Sequence, residues 1–471
     1  MTGTLMVSVS GVRGIVGTDL TPETVARWAA AFGFSVKGEG GRGKGPRRHP
    51  AIVLARDART SGPMFARAAT AGLQSVGCDV IDIGRSTTPT APPAVVHHRA
   101  AGGIILTASH NPIEWNALKF IGPDGIFLGP EDGARVATRV AAGDVPRTDW
   151  SRVGAVREDA DAIARHLALV LALPEIDRRA LRRKRLKVAL DCVRGSGGAI
   201  MPVLLERLGC RVTAINTETD GRFPRPPEPI PAHLGALSRL VRRSRADVGM
   251  AVDPDVDRLA LVDECGRPIG EDYTLAFAVR AVLGDGTGDG RRGTRRRRRV
   301  VVCNLSTSLV VADAARGCGA EVVRTPVGEA HVARTMVELG APIGGEGNGG
   351  VMYPRAHVGR DAPVGAALVV ALLARAGRPL SELVAAAPRY VIVKAKTARG
   401  PALEPAYAAL RARFPEAEVD LQDGLRLGWP DRWLHVRPSN TEPIIRLIAE
   451  APTRAAAEHL VAEGQRSCAA S

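Results

Sequence analysis

The chain has 471 residues, a formal net charge of +15 and few aromatic side chains. That length exceeds one compact core and implies about three or four domains. No run approaches the roughly 20 apolar residues of a membrane span, and residues 1–6 lack the basic start and apolar core of a secretory signal, so a membrane or secreted protein is not expected.

Seven cysteines, Cys78, Cys192, Cys210, Cys265, Cys303, Cys318 and Cys468, are scattered without a Cys-x-x-Cys pair. Reduced thiols, no zinc site and a cytoplasmic location are the expectation. Positive charge is concentrated in 42–48, 178–187 and 291–299, and none of these runs carries an aromatic residue to stack on a base. They read as solvated loop charge that can also draw in an anionic substrate, not as a nucleic-acid surface. Gly38–Gly43 and Gly288–Gly293 both spell G-x-G-x-x-G, but each precedes a strand within a basic, Gly-rich stretch. A dinucleotide fingerprint needs a strand before it and a helix after it, so both are expected to be flexible insertions.

In chain order, 51–54 reads as a strand, 63–76 as a helix and 79–83 as a strand. A buried strand at 103–106 stops abruptly at Thr107-Ala108-Ser109-His110-Asn111-Pro112, and 119–121 is the next strand. Composition turns polar near 144–151, which suggests a boundary. Then follow a strand at 186–191, a helix at 197–208, a strand at 211–215 and a Pro-rich connector at 224–231. Strands at 248–252 and 259–263 flank Asp253-Pro254-Asp255-Val256-Asp257-Arg258. A strand at 300–304, a helix from Ser308 and a strand at 321–324 repeat the theme; after about Ser381 the chain changes to strands with longer connections. Repeated strand–helix–strand units imply parallel sheets, and the tail is a separate α+β unit.

Four loops carry the chemistry. Each follows a short apolar strand and is punctuated by Gly or Pro. Ser109 stands where α/β enzymes place a reactive group, at the mouth of a strand on a loop that cannot continue it. Asp253, Asp255 and Asp257 alternate, and on an extended loop period-two spacing points all three the same way. Three like charges at close quarters need a cation between them, and oxygen ligands without His or Cys favour Mg²⁺. In Gly345-Glu346-Gly347-Asn348-Gly349-Gly350, Glu346 and Asn348 offer acceptors and a donor that suit sugar hydroxyls. In Arg437-Pro438-Ser439-Asn440-Thr441-Glu442-Pro443, a guanidinium, two hydroxyls and an amide suit a phosphate.

These motifs in this order, with Gly11-Val12-Arg13-Gly14 before them, resemble those of the α-D-phosphohexomutase superfamily over essentially the whole chain. The resemblance implies four domains around a central cleft, three α/β with mixed or parallel sheets and a C-terminal α+β unit, with boundaries expected at 1–152, 153–265, 266–382 and 383–471. It implies a phosphorylated Ser109 that holds Mg²⁺ together with Asp253, Asp255 and Asp257. Arg13, His110, Lys119 and Arg258 would surround the reacting phosphate, Glu346 and Asn348 would hold sugar hydroxyls, and Arg437, Ser439, Asn440 and Thr441 the distal phosphate. The implied reaction interconverts hexose 6-phosphate and hexose 1-phosphate through a bisphosphorylated sugar, which also serves as activator, in a monomer or homodimer. The Gly-Glu-Gly-Asn-Gly-Gly form, with Ile113-Glu114-Trp115-Asn116 after the serine, looks closest to phosphoglucosamine mutases. Glucosamine phosphate is then the expected substrate, and mannose or glucose phosphate the alternative. Many relatives carry Ser where Asn348 stands and His where Gly350 stands, which leaves the sugar open.

Three rivals predict different observations. A haloacid-dehalogenase-like phosphatase would use Asp253 as nucleophile and leave Ser109 idle. A basic RNA-binding protein would show salt-dependent RNA binding without turnover. A mutase-like fold without activity would have no use for the serine and three acids, all of which are present.

Overall fold

The computed structural model describes residues 5–8, 11–36, 49–284, 299–398, 402–439 and 444–469. The two G-x-G-x-x-G segments, and the Arg-rich run of the second up to residue 298, lie outside them.

Four sheets follow one another along the chain. The first has seven strands in the order Met6–Ser8, Gly11–Ile15, Trp115–Ile121, Gly102–Leu106, Ala51–Arg56, Asp79–Arg85 and Val156–Glu158. Its Ala51–Arg56 half is parallel and its N-terminal half antiparallel, so the sheet is mixed. Helices Pro22–Val36 and Gly62–Gln74 cover one face through Phe32, Phe65 and Leu73, which are fully buried. Phe32 stacks on Phe120 at 4.8 Å between ring centroids. Burial of such side chains contributes roughly 1.5–3 kcal/mol each. The strand Val156–Glu158 lies beyond the boundary expected at 152, so the first sheet runs further than the polar stretch suggested.

The second sheet is Leu259–Asp263, Val248–Val252, Lys187–Asp191 and Arg211–Ile215, parallel except for the Val248–Val252/Leu259–Asp263 hairpin that carries the acid loop. The helix expected at 197–208 is interrupted: Ser196–Ala199 is a 3-10 turn and Met201–Arg207 is the α-helix. Pro202 explains the restart, since proline fits a first helical turn and not an interior. The third sheet orders Glu321–Thr325, Val300–Asn304, Ile343–Glu346, Gly350–Tyr353 and His357–Arg360. Helix Ala362–Ala376, buried along most of its length, joins the second and third units in one shared core. The fourth sheet, Val391–Ala398, Ile444–Ala451, Trp433–Pro438, Leu425–Gly428 and Glu418–Asp420, is antiparallel throughout, with helices Glu404–Arg413 and Arg454–Ala469 beside it. The boundary expected at 382/383 falls inside helix Leu380–Ala385. None of the described helices is long and apolar enough to cross a membrane.

Candidate active site

Strands Gly102–Leu106 and Trp115–Ile121 form an antiparallel hairpin, and its loop carries Ser109. Ser109 has φ +48°, the left-handed region that costs a non-glycine residue about 1–2 kcal/mol. Its N–H donates to Thr107 Oγ1 at 2.9 Å, which offsets part of that cost. Its hydroxyl, almost fully buried, donates to Asp253 Oδ2 at 2.9 Å and lies 3.4 Å from His110 Nδ1. The serine and acid loops, 144 residues apart in the chain, therefore meet directly.

The acid loop is a tight turn, not the extended segment that period-two spacing suggested. Val256 takes φ +67°, and the N–H groups of Asp257 and Arg258 donate back to Asp253 Oδ1 at 3.1 and 3.2 Å. The carboxylates of Asp253, Asp255 and Asp257 still converge, because the turn bends them inward: one oxygen of each lies within 4.8 Å of the others. Neighbouring units clamp the turn. From the first, Thr88 donates its N–H to Asp255 O at 2.8 Å and its hydroxyl to Asp255 Oδ2 at 2.6 Å. From the third, Arg360 Nη2 donates to Asp257 Oδ2 at 2.6 Å and Ala362 N–H to Val256 O at 3.2 Å.

Burial, then the neighbouring Asp257 and Asp255 carboxylates, push Asp253 well above the usual carboxylate range. Asp255 is just as buried, yet Lys119 and the hydrogen bonds of Asp253 and Thr88 hold it below that range. Lys119 Nζ sits 3.0 Å from Asp255 Oδ2 and 3.8 Å from Asp257 Oδ2. Asp255 Oδ1 and Asp257 Oδ1 are buried without a hydrogen bond. Orphaned hard oxygens among three converging, buried carboxylates are what a divalent cation would satisfy, so these residues fit a metal.

Three more expected residues surround this point. Arg13, on strand Gly11–Ile15, bonds Asn111 Oδ1 of the serine loop. Arg258 Nη1 donates to Glu228 Oε1 at 3.0 Å, and His110 Nε2 lies 4.0 Å from the same oxygen. Glu228 comes from the Pro-rich connector, which showed no functional signal. His110 keeps 31% of its side chain in contact with solvent. Desolvation of the rest, then the guanidiniums of Arg258 and Arg13, hold it well below the usual histidine range.

Glu346 ends strand Ile343–Glu346 and does not sit on a loop. It accepts from Asn304 Nδ2 at 2.8 Å, Gly328 N–H at 3.2 Å and Asn348 Nδ2 at 3.4 Å, and lies 3.0 Å from Arg360 Nη1. Most of its acceptor capacity is thus met inside the protein, and Asn348 is the more open of the pair. Arg360, which carries no sequence signal, holds Asp257, Glu329 and Glu346 with one guanidinium and so couples the acid loop to the Gly345–Gly350 segment. Gly349 has φ +86°, and a Cβ there would stand 2.4 Å from Leu259 O, the strand that returns from the acid loop.

Asp272 lies against the same loop, where a Cβ at Gly347 would stand 2.2 Å from its Oδ1, and accepts from Ser308 N–H. Burial, then the Glu450 carboxylate, push it up to about 8 from its ordinary 3.8. Unfolded, the group ionises near 3.8; folded, it keeps its proton to about 8, so its stabilisation is complete below 3.8 and lost as pH rises through about 8. Asp272→Asn, which keeps an acceptor for Ser308 N–H and cannot ionise, is expected to flatten the fall of Tm between pH 5 and pH 8. Parallel Tm–pH curves for the two proteins would contradict this.

Arg437 lies at the end of strand Trp433–Pro438. Its Nε lies 2.8 Å from Asp423 Oδ2, which also accepts from Val327 N–H of the third unit at 3.0 Å. Ser439 N–H bonds Ile444 O. Asn440 and Thr441 lie outside the described residues. A second His/Asp group, His166, His357 and Asp361, is hydrogen-bonded within itself: both Nε2 atoms meet Asp361 Oδ2, at 2.8 and 2.9 Å, and Thr90 joins at His166 Nδ1. It locks the first three units together behind the acid loop.

The chain matches four phosphoglucomutase/phosphomannomutase families: alpha/beta/alpha domain I over residues 5–146, domain II over 165–266, domain III over 271–390 and the C-terminal domain over 391–465. It is 37% identical to a phosphoglucomutase/phosphomannomutase of Thermococcus kodakarensis, covering 94% of this chain and 93% of the relative. It is 37% identical to a probable phosphoglucosamine mutase of Methanopyrus kandleri, covering 96% and 95%. Among solved structures, a phosphoglucomutase/phosphomannomutase family protein from Burkholderia thailandensis superposes with TM-score 0.83 at 26% identity, covering 100% of this chain and 98% of the other.

Proposed function

The chain belongs to the phosphoglucomutase/phosphomannomutase family, and from that premise we propose that it converts glucosamine 6-phosphate to glucosamine 1-phosphate through a phosphorylated Ser109. It is a phosphohexomutase, an isomerase that interconverts sugar phosphates. The choice of glucosamine rests on the probable phosphoglucosamine mutases among its relatives and on the Gly-Glu-Gly-Asn-Gly-Gly form of the sugar loop. The observation that carries the mechanism is the Ser109 hydroxyl 2.9 Å from Asp253 at the mouth of the acid loop.

In the first transfer the Ser109 Oγ–P bond breaks as a sugar hydroxyl bonds to phosphorus; the hydroxyl gives up its proton and the freed Ser109 oxygen takes one up, and His110, whose Nδ1 lies 3.4 Å from that oxygen, is placed to pass it. Lys119, Arg13 and Arg258 offset the charge of the phosphoryl oxygens. Asp253, Asp255, Asp257 and Ser109 would hold Mg²⁺, whose contribution when bound is to neutralise charge on the transferring group. The bisphosphorylated sugar then turns over, and its other phosphate returns to Ser109. Arg437, Ser439, Asn440 and Thr441 are assigned the phosphate that is not reacting, and Glu346 and Asn348 the sugar hydroxyls.

One substrate panel tests both assignments: glucosamine, glucose and mannose phosphates, each with its bisphosphate. Glucosamine phosphate should give the highest kcat/KM. Arg437→Ala should weaken 1-phosphates and 6-phosphates alike, by about 2–5 kcal/mol for a desolvated charge pair. Asn348→Ala should instead change the ranking of the sugars, because an unpaired polar group discriminates between hydroxyl and amine. If Arg437→Ala reorders the sugars while Asn348→Ala lowers all equally, the division of labour is wrong.

A further inference from the structure

We propose that Arg59 is the positioning residue of the serine loop, fixing the Ser109 backbone for phosphoryl transfer without itself binding phosphate. This rests on the reading of Ser109 as phosphoryl carrier. Arg59 follows strand Ala51–Arg56, and its side chain is completely buried. A guanidinium has five N–H donors in a rigid fork. All five are engaged. Nε donates to Asp57 Oδ2 at 3.2 Å. Nη1 donates to Pro112 O at 2.6 Å and Trp115 O at 2.9 Å. Nη2 donates to Ser109 O at 2.7 Å and Asn111 O at 2.6 Å. The loop is thus wrapped around one cation, with Phe223 of the second unit beneath it, 5.1 Å from Arg59 Cζ.

A second path reaches the same residue. Asp57 Oδ2 accepts from Thr107 Oγ1 at 2.6 Å, and Thr107 Oγ1 accepts from Ser109 N–H at 2.9 Å. Ser109 is therefore held at its carbonyl by Arg59 and at its amide by Thr107, and both holds meet at Asp57. This accounts for φ +48° in a residue with a side chain. The strain persists because both ends of the peptide are over-determined. Arg13 and Arg258 differ: Arg13 bonds the Asn111 side chain through Nη1 and Arg258 the Glu228 side chain through Nη1, whereas Arg59 has no N–H left for a phosphate.

Lysine at 59 keeps the charge but offers three donors and no fork, so at least two of the five bonds are lost. Arg59→Lys should lower kcat by roughly 10²-fold, the scale of a misplaced reacting group, with KM for the sugar phosphate within about twofold. Single-turnover phosphorylation of Ser109 by glucose 1,6-bisphosphate, followed by intact mass, should slow by the same factor yet still reach completion. A role in stability alone would lower Tm and the completed fraction but leave the rate per active molecule unchanged. Should Arg59→Lys not fold, Thr107→Val cuts the other path, and should slow the same step by about tenfold, with Thr107→Ser restoring it. If wild type takes up no phosphoryl group, the reading of Ser109 fails. If wild type does, and Arg59→Lys, or Thr107→Val in its place, does so at the wild-type rate, the assignment of Arg59 is overturned.

Discussion

Ser109→Ala is expected to lower turnover by at least roughly 10³-fold, as loss of a covalent nucleophile does. The variant should fold normally: alanine removes a single oxygen, and the bonds that shape the loop run through the Ser109 backbone and not its hydroxyl. What disappears is the atom 2.9 Å from Asp253 that would carry phosphate between the two half-reactions. Affinity for the sugar phosphate should change little, since the groups assigned to phosphate and hydroxyls are untouched. A coupled assay with the bisphosphate activator present, together with calorimetric binding, separates the two quantities. Near-wild-type turnover in this variant would sink the phosphoserine mechanism. Weakened binding with unchanged kcat would make Ser109 a substrate contact and not a carrier.

Removal of the metal carries the second large effect. EDTA is expected to abolish activity and Mg²⁺ to restore it, while Asp255→Asn should fold and remain inactive. Asp255 lies at the centre of the acid turn, with Oδ2 taken by Thr88 and Lys119 and Oδ1 without a hydrogen bond. Asparagine can keep one of these roles, but it removes the negative charge that a hard cation requires. It also leaves Lys119 without its nearest counter-ion, so the variant should lose metal affinity before stability. Circular dichroism and metal titration on the same sample test this. Full activity of wild type in metal-free buffer would refute the metal reading, whatever Asp255→Asn does.

The chemistry of each loop was legible because it is local. An apolar strand that runs into Ser-His-Asn-Pro, or into three alternating acids, declares a strand end with functional groups on it, and the structure has the strand ends Leu106 and Val252 there. The reason given for the convergence of the acids was not correct. Extended alternation would have pointed them one way, but the turn at Val256, held by Asp253 Oδ1, points them inward. The stretch 197–208 likewise reads as one helix, whereas the backbone turns at Ser196–Ala199 and restarts as an α-helix at Met201 and Pro202.

Arg59, Thr88, Glu228 and Arg360 gave no sequence signal. Each is one polar residue in an unremarkable setting, and its partner lies far along the chain, 167 residues away for Thr88 and Asp255 and 103 for Arg360 and Asp257. The roles of Arg59, Thr88 and Arg360 come from burial: away from water every donor must find an acceptor, and the acceptors available are the loop carbonyls and the crowded carboxylates.

By itself, then, the sequence determined the element order and the residue types on four loops, because secondary structure and loop chemistry follow from short-range pattern; the class of reaction came from the resemblance of those four motifs, in that order, to a known superfamily. Only the tertiary structure decided that the serine and acid loops meet, that Glu346 is largely committed inside the protein while Asn348 is more open, and that Arg437 is tied to the third unit through Asp423. Those outcomes depend on how separate sheets pack, and packing satisfies buried charge over distances that no local pattern records.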